Sequence, residues 1–204
     1  MNRPRRSDGE QTYAAILDTA VRLASIEGLG AITIGRLADE VGVSKSGLYA
    51  HFGSKQRLEL DIIQAARDIF EREVMQPALA ADEGLPQLEQ ICASYLSYIE
   101  RRVFPGGCFF AGMLAEFDAR SGTAAHDEVA SDQRGWTELL ESFATTARDH
   151  GHLRPTVDIP QLVFDLTAAV ELANYYYVLF SDPEVLDRAR TSIHTALTAA
   201  TKKP

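Results

Sequence analysis

The sequence predicts an all-α protein of about nine helices, and three observations carry that reading. Apolar residues recur at helical spacing along most of the chain, glycine and proline mark the ends of those stretches, and no segment reads convincingly as a strand. A further observation is local: TIGRLADEVGVSKSGLYAHFGSK, from Thr33 to Lys55, reads as a short apolar helix, a glycine-centred turn, a very short second helix and the start of a third.

The first helix is expected from about Gln11 to Glu27, with Ile16, Ala20 and Leu23 on one face and Gly28 ending it. Thr33 is a hydroxyl N-cap for the second, whose Ile34, Leu37, Ala38 and Val41 share a face. Gly42 falls where a left-handed residue ends that helix, and Val43 can plug the angle to the next. Ser44 caps a third helix with room for about two turns. It presents Lys45, Ser46, Gly47 and Tyr49 while Leu48 and Phe52 turn to the core. Glycine at 47 costs about 1 kcal/mol against alanine in a helix, but it allows close approach to a phosphate or base edge. Ser54 caps the fourth helix, which runs towards Pro77 through Leu58, Ile62, Ala66, Ile69 and Phe70. Lys55 and Arg57 in its first turn oppose the helix dipole and so call for a nearby anion.

Met75 to Pro86 reads as a break, with Pro86 suited to the first turn of the fifth helix, which ends near Arg102. Val103 to Gly107 is irregular, Cys108 to Arg120 restarts as a short helix, and a Ser-Gly-Thr loop follows. A longer helix spans about Ala124 to His150, containing Trp136, Leu139, Leu140 and Phe143, and Gly151 can cap it. Two final helices, about Pro160 to Phe180 and Pro183 to Thr201, flank Ser181-Asp182, with Asp182 as N-cap and Pro183 at the first helical position.

The 204 residues and 46% apolar content suffice for one large domain or two small ones. The net charge of −9 is unevenly divided. Residues 1–57 hold eight Lys or Arg against six Asp or Glu, giving +2, and residues 58–204 hold twelve against twenty-three, giving −11. A basic head on an acidic body orients the molecule in the field of DNA. Arg3, Arg5 and Arg6 lie ahead of the first helix, either as an arm reaching phosphates or a minor groove, or as a solvated terminus. No apolar run approaches the ~18 residues needed to span a bilayer and MNRPRRSDGEQ lacks a secretory apolar region, so a cytoplasmic protein is expected, without membrane contact. Cys92 and Cys108 are too few for a disulfide framework and fit reduced thiols.

Residues Ile16 to Leu60 resemble the N-terminal DNA-binding domain of TetR-type transcriptional regulators. The likeness rests on a linked set: Gly28, Thr33, Leu37-Ala38, Gly42-Val43-Ser44, Leu48-Tyr49, His51-Phe52 and Lys55. It implies a helix-turn-helix domain over residues 1–57, with the helix from Ser54 linking to a ligand-binding and dimerisation domain over 58–204. Chemistry and resemblance together assign Lys45 and Ser46 to base readout, with Lys45 donating to guanine O6 and N7. Thr33, Ser44, Tyr49, His51 and Lys55 would hold phosphates, and Gly47 would permit the approach. Arg36 either contacts a phosphate or solvates its helix beside Asp39 and Glu40. One short reading helix contacts few bases, whereas two spaced ~34 Å apart read successive major grooves of a palindromic operator. A homodimer is therefore expected. Its interface would be the last two helices, through Leu162, Leu166, Val170, Ala173 and Tyr177 on one and Leu186, Ala189, Ile193, Leu197 and Ala200 on the other, unless these form ordinary intrachain core.

Tyr95, Tyr98, Phe104, Phe109, Phe110, Met113, Phe117, Trp136, Phe143 and Tyr175 concentrate aromatic and soft apolar area in the body, and with Cys108 they either line a cavity or simply pack. Glu116, Asp118, Glu171 and Asn174 would orient a polar group of a bound molecule, or else face solvent. The expected effector is a mostly apolar small molecule whose binding tilts the fourth helix, so that two heads no longer match one DNA repeat. The resemblance favours release from DNA, hence a repressor. No cofactor or metal is implied, since His150 and His152 diverge on a helix and have no third ligand nearby in sequence. Rival readings use Cys108, after Gly106-Gly107, either as a redox switch or as the nucleophile of an enzyme with His126, His150, His152 or His194 as base. No catalytic motif accompanies it, so the protein is not expected to be an enzyme.

Overall fold

The computed structural model describes residues 5–117 and 122–201, with side chains from residue 11 onward. Its secondary structure is helical, with one isolated bridge between Leu153 and Thr201 among the described residues. Contacts gather the chain into two compact units, residues 1–68 with 104–130 and residues 69–103 with 131–204. The first differs from a division at 57/58 because the segment after Val103 packs with the head.

In the first unit, α1 spans Arg5–Glu27, with Ile16, Ala20, Val21 and Ala24 buried. It begins before Gln11, so Arg5 and Arg6 belong to its first turn rather than to an arm ahead of it; Arg3 lies outside the described residues. Gly28 ends α1 at φ 85°, a left-handed conformation that side chains resist. A 3₁₀ turn, Leu29–Ala31, leads to α2 (Ile34–Val41). The Thr33 hydroxyl accepts from the Arg36 amide at 3.0 Å, and Gly42 closes α2 at φ 70°. Ser44 caps α3 (Lys45–Phe52) by accepting from Gly47 N at 3.1 Å. Val43 is 40% exposed, so the expected plug is absent; buried Ile32, Leu37 and Leu48 form the core of this region. Ser54 caps α4 (Lys55–Phe70), whose Leu58, Ile62, Ile63, Ala66 and Phe70 are buried. The unit also contains α7 (Phe109–Phe117) and the start of α8 (Ala124–Asp149).

Beyond α4 the expected break at Met75 does not occur. A π turn over Glu71–Met75 passes into α5 (Gln76–Leu79), where Pro77 occupies the first turn and its missing N–H costs nothing. This four-residue segment continues the fourth expected helix. Within the expected stretch the break is confined to Ala80–Gly84, with Gly84 at φ 92° pressed so close to α8 that a Cβ there would lie 2.9 Å from Ala147 Cα. In the second unit α6 (Leu85–Glu100) starts with proline in its first turn, as expected, and Gln87 accepts from the Gly84 amide at 3.2 Å. Leu88, Ile91, Tyr95 and Ile99 of α6 are buried, as are Leu140, Phe143 and Ala147 of α8. Asp158 caps α9 (Ile159–Phe180), and left-handed Ser181 turns the chain into α10 (Glu184–Ala200). The N-cap of α10 is Pro183 rather than the expected Asp182, whose side chain accepts from the Glu184 amide at 3.0 Å from just ahead of the helix.

Candidate nucleic-acid interface

The two caps that shape α2 and α3 also prepare a surface. With the oxygens of Thr33 and Ser44 turned to amides, Leu48 and Phe52 are 0% and 3% exposed, while Lys45, Ser46, Gly47, Tyr49 and His51 face outward. Tyr49 is 58% exposed, a large apolar ring that the core leaves unused. Ser46 Oγ lies 3.2 Å from Ser44 Oγ, so the hydroxyls adjoin at the N-terminal end of α3. His51 stands near Tyr13, with ring centroids 6.0 Å apart. Tyr13 in turn stacks on Phe52 at 5.3 Å and donates to Asp61 at 2.7 Å. Burial, then the bond to Asp61, pushes the Tyr13 phenol up to about 12, so it remains a donor that fixes this edge of α3 against α4.

The cations of the head are mostly committed. Arg36 bridges Glu27 at 2.6 Å and Glu40 at 2.7 Å, which resolves the alternatives left by the sequence: it braces α2. Arg57 pairs with Asp61 and Arg22 with Asp18. Lys55 donates to the Gly30 carbonyl at 2.8 Å and stands 3.5 Å from Glu59, while its side chain keeps half its surface exposed. Among the described side chains of residues 11–57, Lys45 is the cation without a carboxylate partner. Its Nζ lies over the first turn of α2, 3.4 Å from where a Cβ on Gly35 would be.

Glu116, expected either to orient a bound molecule or to face solvent, is engaged by backbone. Its carboxylate accepts from Leu29 N and Gly30 N, both at 2.7 Å, in the 3₁₀ turn of the head. The periodicity of α7 could not show this, because the partners are backbone amides of a distant segment. A groove of about 500 Å³ runs beside this contact, lined among others by Ser25, Glu27, Gly28, Gly30, Met113 and Glu116. Of the aromatic and apolar residues expected to hold a ligand, Met113 alone is in that lining.

That expected set falls into two clusters. Phe104 and Phe109, 6.2 Å apart, lie with Cys108, Met113 and Phe117 in the first unit, all buried. In the second unit Phe70 meets Tyr95, Tyr98 and Trp136 edge-on at 5.8, 5.7 and 5.5 Å. Tyr95 Oη donates to Glu171 Oε1 at 3.3 Å, and Glu171 Oε2 is buried with no hydrogen bond. Burial raises the Glu171 carboxyl above its ordinary value, opposed by the Tyr95 bond. Asn174, one turn on, is buried; Tyr175 is 42% exposed on another face of α9, and Asp118 lies outside the described residues.

Both cysteines are buried, and desolvation pushes the Cys92 thiol up to about 12. Cys108 is 3% exposed, a poor position for a nucleophile or an oxidant sensor. His150 and His152 follow α8 rather than lying on it, and their rings meet edge-on at 5.8 Å instead of diverging. No group of three potential ligands for a metal ion occurs among the described residues.

The residues expected at a dimer interface prove to be intrachain core. Leu162, Leu166, Val170, Ala173, Leu186, Ala189, Ile193, Leu197 and Ala200 are all at most 7% exposed within one chain, and Tyr177 is partly covered. They bind α9 to α10. The apolar residues left outside are Phe164, Leu172, Tyr175, Tyr176, Leu179 and Phe180, 42% to 71% exposed; at 100° per residue Phe164, Leu172, Tyr175 and Leu179 lie on the opposite side of α9, while Tyr176 and Phe180 lie nearer the buried side at its C-terminal end. Helical spacing identified one apolar face but not which of two would remain open.

Comparison with known proteins follows the same division. Residues 16–60 match the family described as bacterial regulatory proteins, tetR family, and residues 84–193 match the tetracyclin repressor-like C-terminal domain. The HTH-type transcriptional regulator AcrR of Shigella flexneri is 30% identical over 92 residues; the match spans 45% of this chain and 43% of that relative, less than half of either. A TetR transcriptional regulator from Chloroflexus aurantiacus J-10-FL shares the fold with a TM-score of 0.87 at 22% identity, covering 97% of this chain and 100% of that one. AibR, solved with isovaleryl coenzyme A and operator DNA, aligns with a TM-score of 0.67 at 21% identity over 86% of this chain and 94% of its own.

Proposed function

The chain belongs to the tetR family of bacterial transcriptional regulators, and on that premise we propose that it is a repressor whose two copies grip a palindromic operator and are released by a mostly apolar small molecule. The observation that carries the reading is the outward face of α3, where Ser46, Gly47, Tyr49 and His51 lie with Lys45, the cation without a carboxylate partner among the described side chains of residues 11–57. Lys45 and Ser46 read base edges, while Thr33, Ser44, Tyr49, His51 and Lys55 hold phosphates. In this reading residues 1–57 form the DNA-binding domain and 58–204 hold the effector and the partner. AibR, which has the same fold, was solved with both a ligand and operator DNA.

Pairing uses the outward face of α9. A helix apolar on all sides is normally covered on all sides, and Phe164, Leu172 and Leu179 are 67%, 52% and 71% exposed in the single chain. Effector binding is assigned to the cluster around Tyr95, Tyr98, Trp136 and Glu171, where a buried carboxyl beside rings suits a ligand with an apolar body and one hydrogen-bonding group. No catalytic step is assigned, since the cysteine thiols are buried. No described helix is long and apolar enough to cross a membrane, and a repressor works where the chromosome is, in the cytoplasm.

The test is selection from random duplexes by the purified protein beside a Lys45→Ala, Tyr49→Ala variant. Enrichment of a palindrome by the native protein alone supports the reading. Equal enrichment by both, or none by either, refutes the assignment of α3.

A further inference from the structure

Gly30 is held on both sides. Its amide, with that of Leu29, donates to the Glu116 carboxylate at 2.7 Å, and its carbonyl accepts from Lys55 Nζ at 2.8 Å. Two short bonds to a charged acceptor are the strong kind. The adjoining backbone is shaped to admit them: Gly28 takes φ 85°, and a Cβ there would lie 3.0 Å from Glu116 Oε2. A second tie lies one turn away, where the Gly106 amide donates to Ser25 Oγ at 3.2 Å and a Cβ on Gly106 would collide with the Ser25 carbonyl. The segment from Phe104 to Phe117 thus grips the end of α1 and the turn that follows. The turn in turn sets the position of Lys55, whose side chain is half exposed.

We propose that Glu116 is a positioning residue for DNA binding, acting through the Leu29–Ala31 turn on Lys55. The inference rests on the reading of the head as a DNA binder. Without the carboxylate, the two amides lose their acceptor and the Gly30 carbonyl no longer holds Lys55 in place for a phosphate. Glu116 touches no DNA itself. Its location on α7, the helix that carries Phe109, Met113 and Phe117, makes this contact a point where a displacement of α7 would alter affinity for DNA.

The experiment measures operator affinity of the full chain, on the palindrome selected by the native protein, for native, Glu116→Gln, Lys55→Ala and the double variant across a salt series, with thermal melting alongside. Glutamine offers one neutral acceptor where two amides need a charged pair. The expected loss for Glu116→Gln is roughly tenfold, within the usual range of coupling between sites. The salt slope should fall towards that of Lys55→Ala, which loses about 0.9 per phosphate contact in each protomer. In the Lys55→Ala background the Glu116→Gln loss should disappear. Native affinity in Glu116→Gln, or an equal loss with and without Lys55, overturns the proposal, because general loosening of the head would be additive. Should Glu116→Gln melt below the assay temperature, Glu116→Asp, charged but too short to meet both amides, is read by the same criteria. A native chain that selects no duplex overturns the DNA-binding reading and this inference with it, whereas selective native binding with an unchanged variant overturns the inference alone.

Discussion

Replacing Leu172 and Leu179 together by alanine should take the proposed dimer apart while leaving each chain folded. The two lie seven residues apart on the outward side of α9, 52% and 71% exposed in the single chain. Each truncation removes three carbons worth about 0.8 kcal/mol apiece when buried, so scaling by the exposed fractions gives roughly 3 kcal/mol per copy. A two-fold interface counts this twice, about 6 kcal/mol, or about four orders of magnitude in Kd. The comparison is Leu197→Ala on the inner side, 4% exposed, where loss of core packing costs about 2–5 kcal/mol of stability without touching the partner face. Sedimentation velocity over a dilution series reads the first effect and thermal melting the second. A Leu172, Leu179 variant that dimerises like the native protein would refute the reasoning, as would a folded Leu197→Ala chain that has become monomeric.

Three other outcomes follow from particular residues. Gly84→Ala adds a Cβ at φ 92° and 2.9 Å from Ala147 Cα, which should cost roughly 2 kcal/mol or more and about 5 °C in Tm; Gly112→Ala, with nothing within 4 Å of the new Cβ on α7, should instead stabilise by about 0.5–1 kcal/mol, and a reversed order would contradict the packing described. Glu171 has a folded pKa raised above the ordinary 4.5, so the native state holds its proton more tightly and stability falls as pH climbs through that value to the raised one. Glu171→Gln should therefore melt higher than the native chain above that window and show a flatter pH profile; an unchanged or lower Tm at neutral pH would exclude a desolvated carboxyl. Operator affinity should fall with salt at a log–log slope between about −2 and −4, the value for two to four phosphate contacts per dimer. A slope steeper than about −6 would mean that the arginine pairs open on DNA or that the Arg3, Arg5, Arg6 segment joins them.

The reading head was legible because its determinants are local. Thr33, Ser44 and Ser54 each cap a helix within three residues of themselves, and Gly42 ends one by a conformation that its own lack of a side chain permits. What escaped the sequence depends on partners far along it. Leu162 and Leu179 have the same chemistry and both obey a helical period; which one faces α10 is decided by the angle at Ser181. Glu116 could not be matched to Leu29 and Gly30, since backbone amides carry no sequence signature. Pro77 looked like a stop, and the π turn before it made the residue a start.

The arginine pairs of the head bear on how the protein would search a chromosome. One operator competes with roughly 10⁶ to 10⁹ other sites, and attraction to those others is almost wholly a matter of free positive charge. With Arg22, Arg36 and Arg57 each beside a carboxylate, random duplex has three fewer free cations to hold. A regulator of this kind would strand fewer of its copies on irrelevant sequence, and a small population could keep its operator occupied.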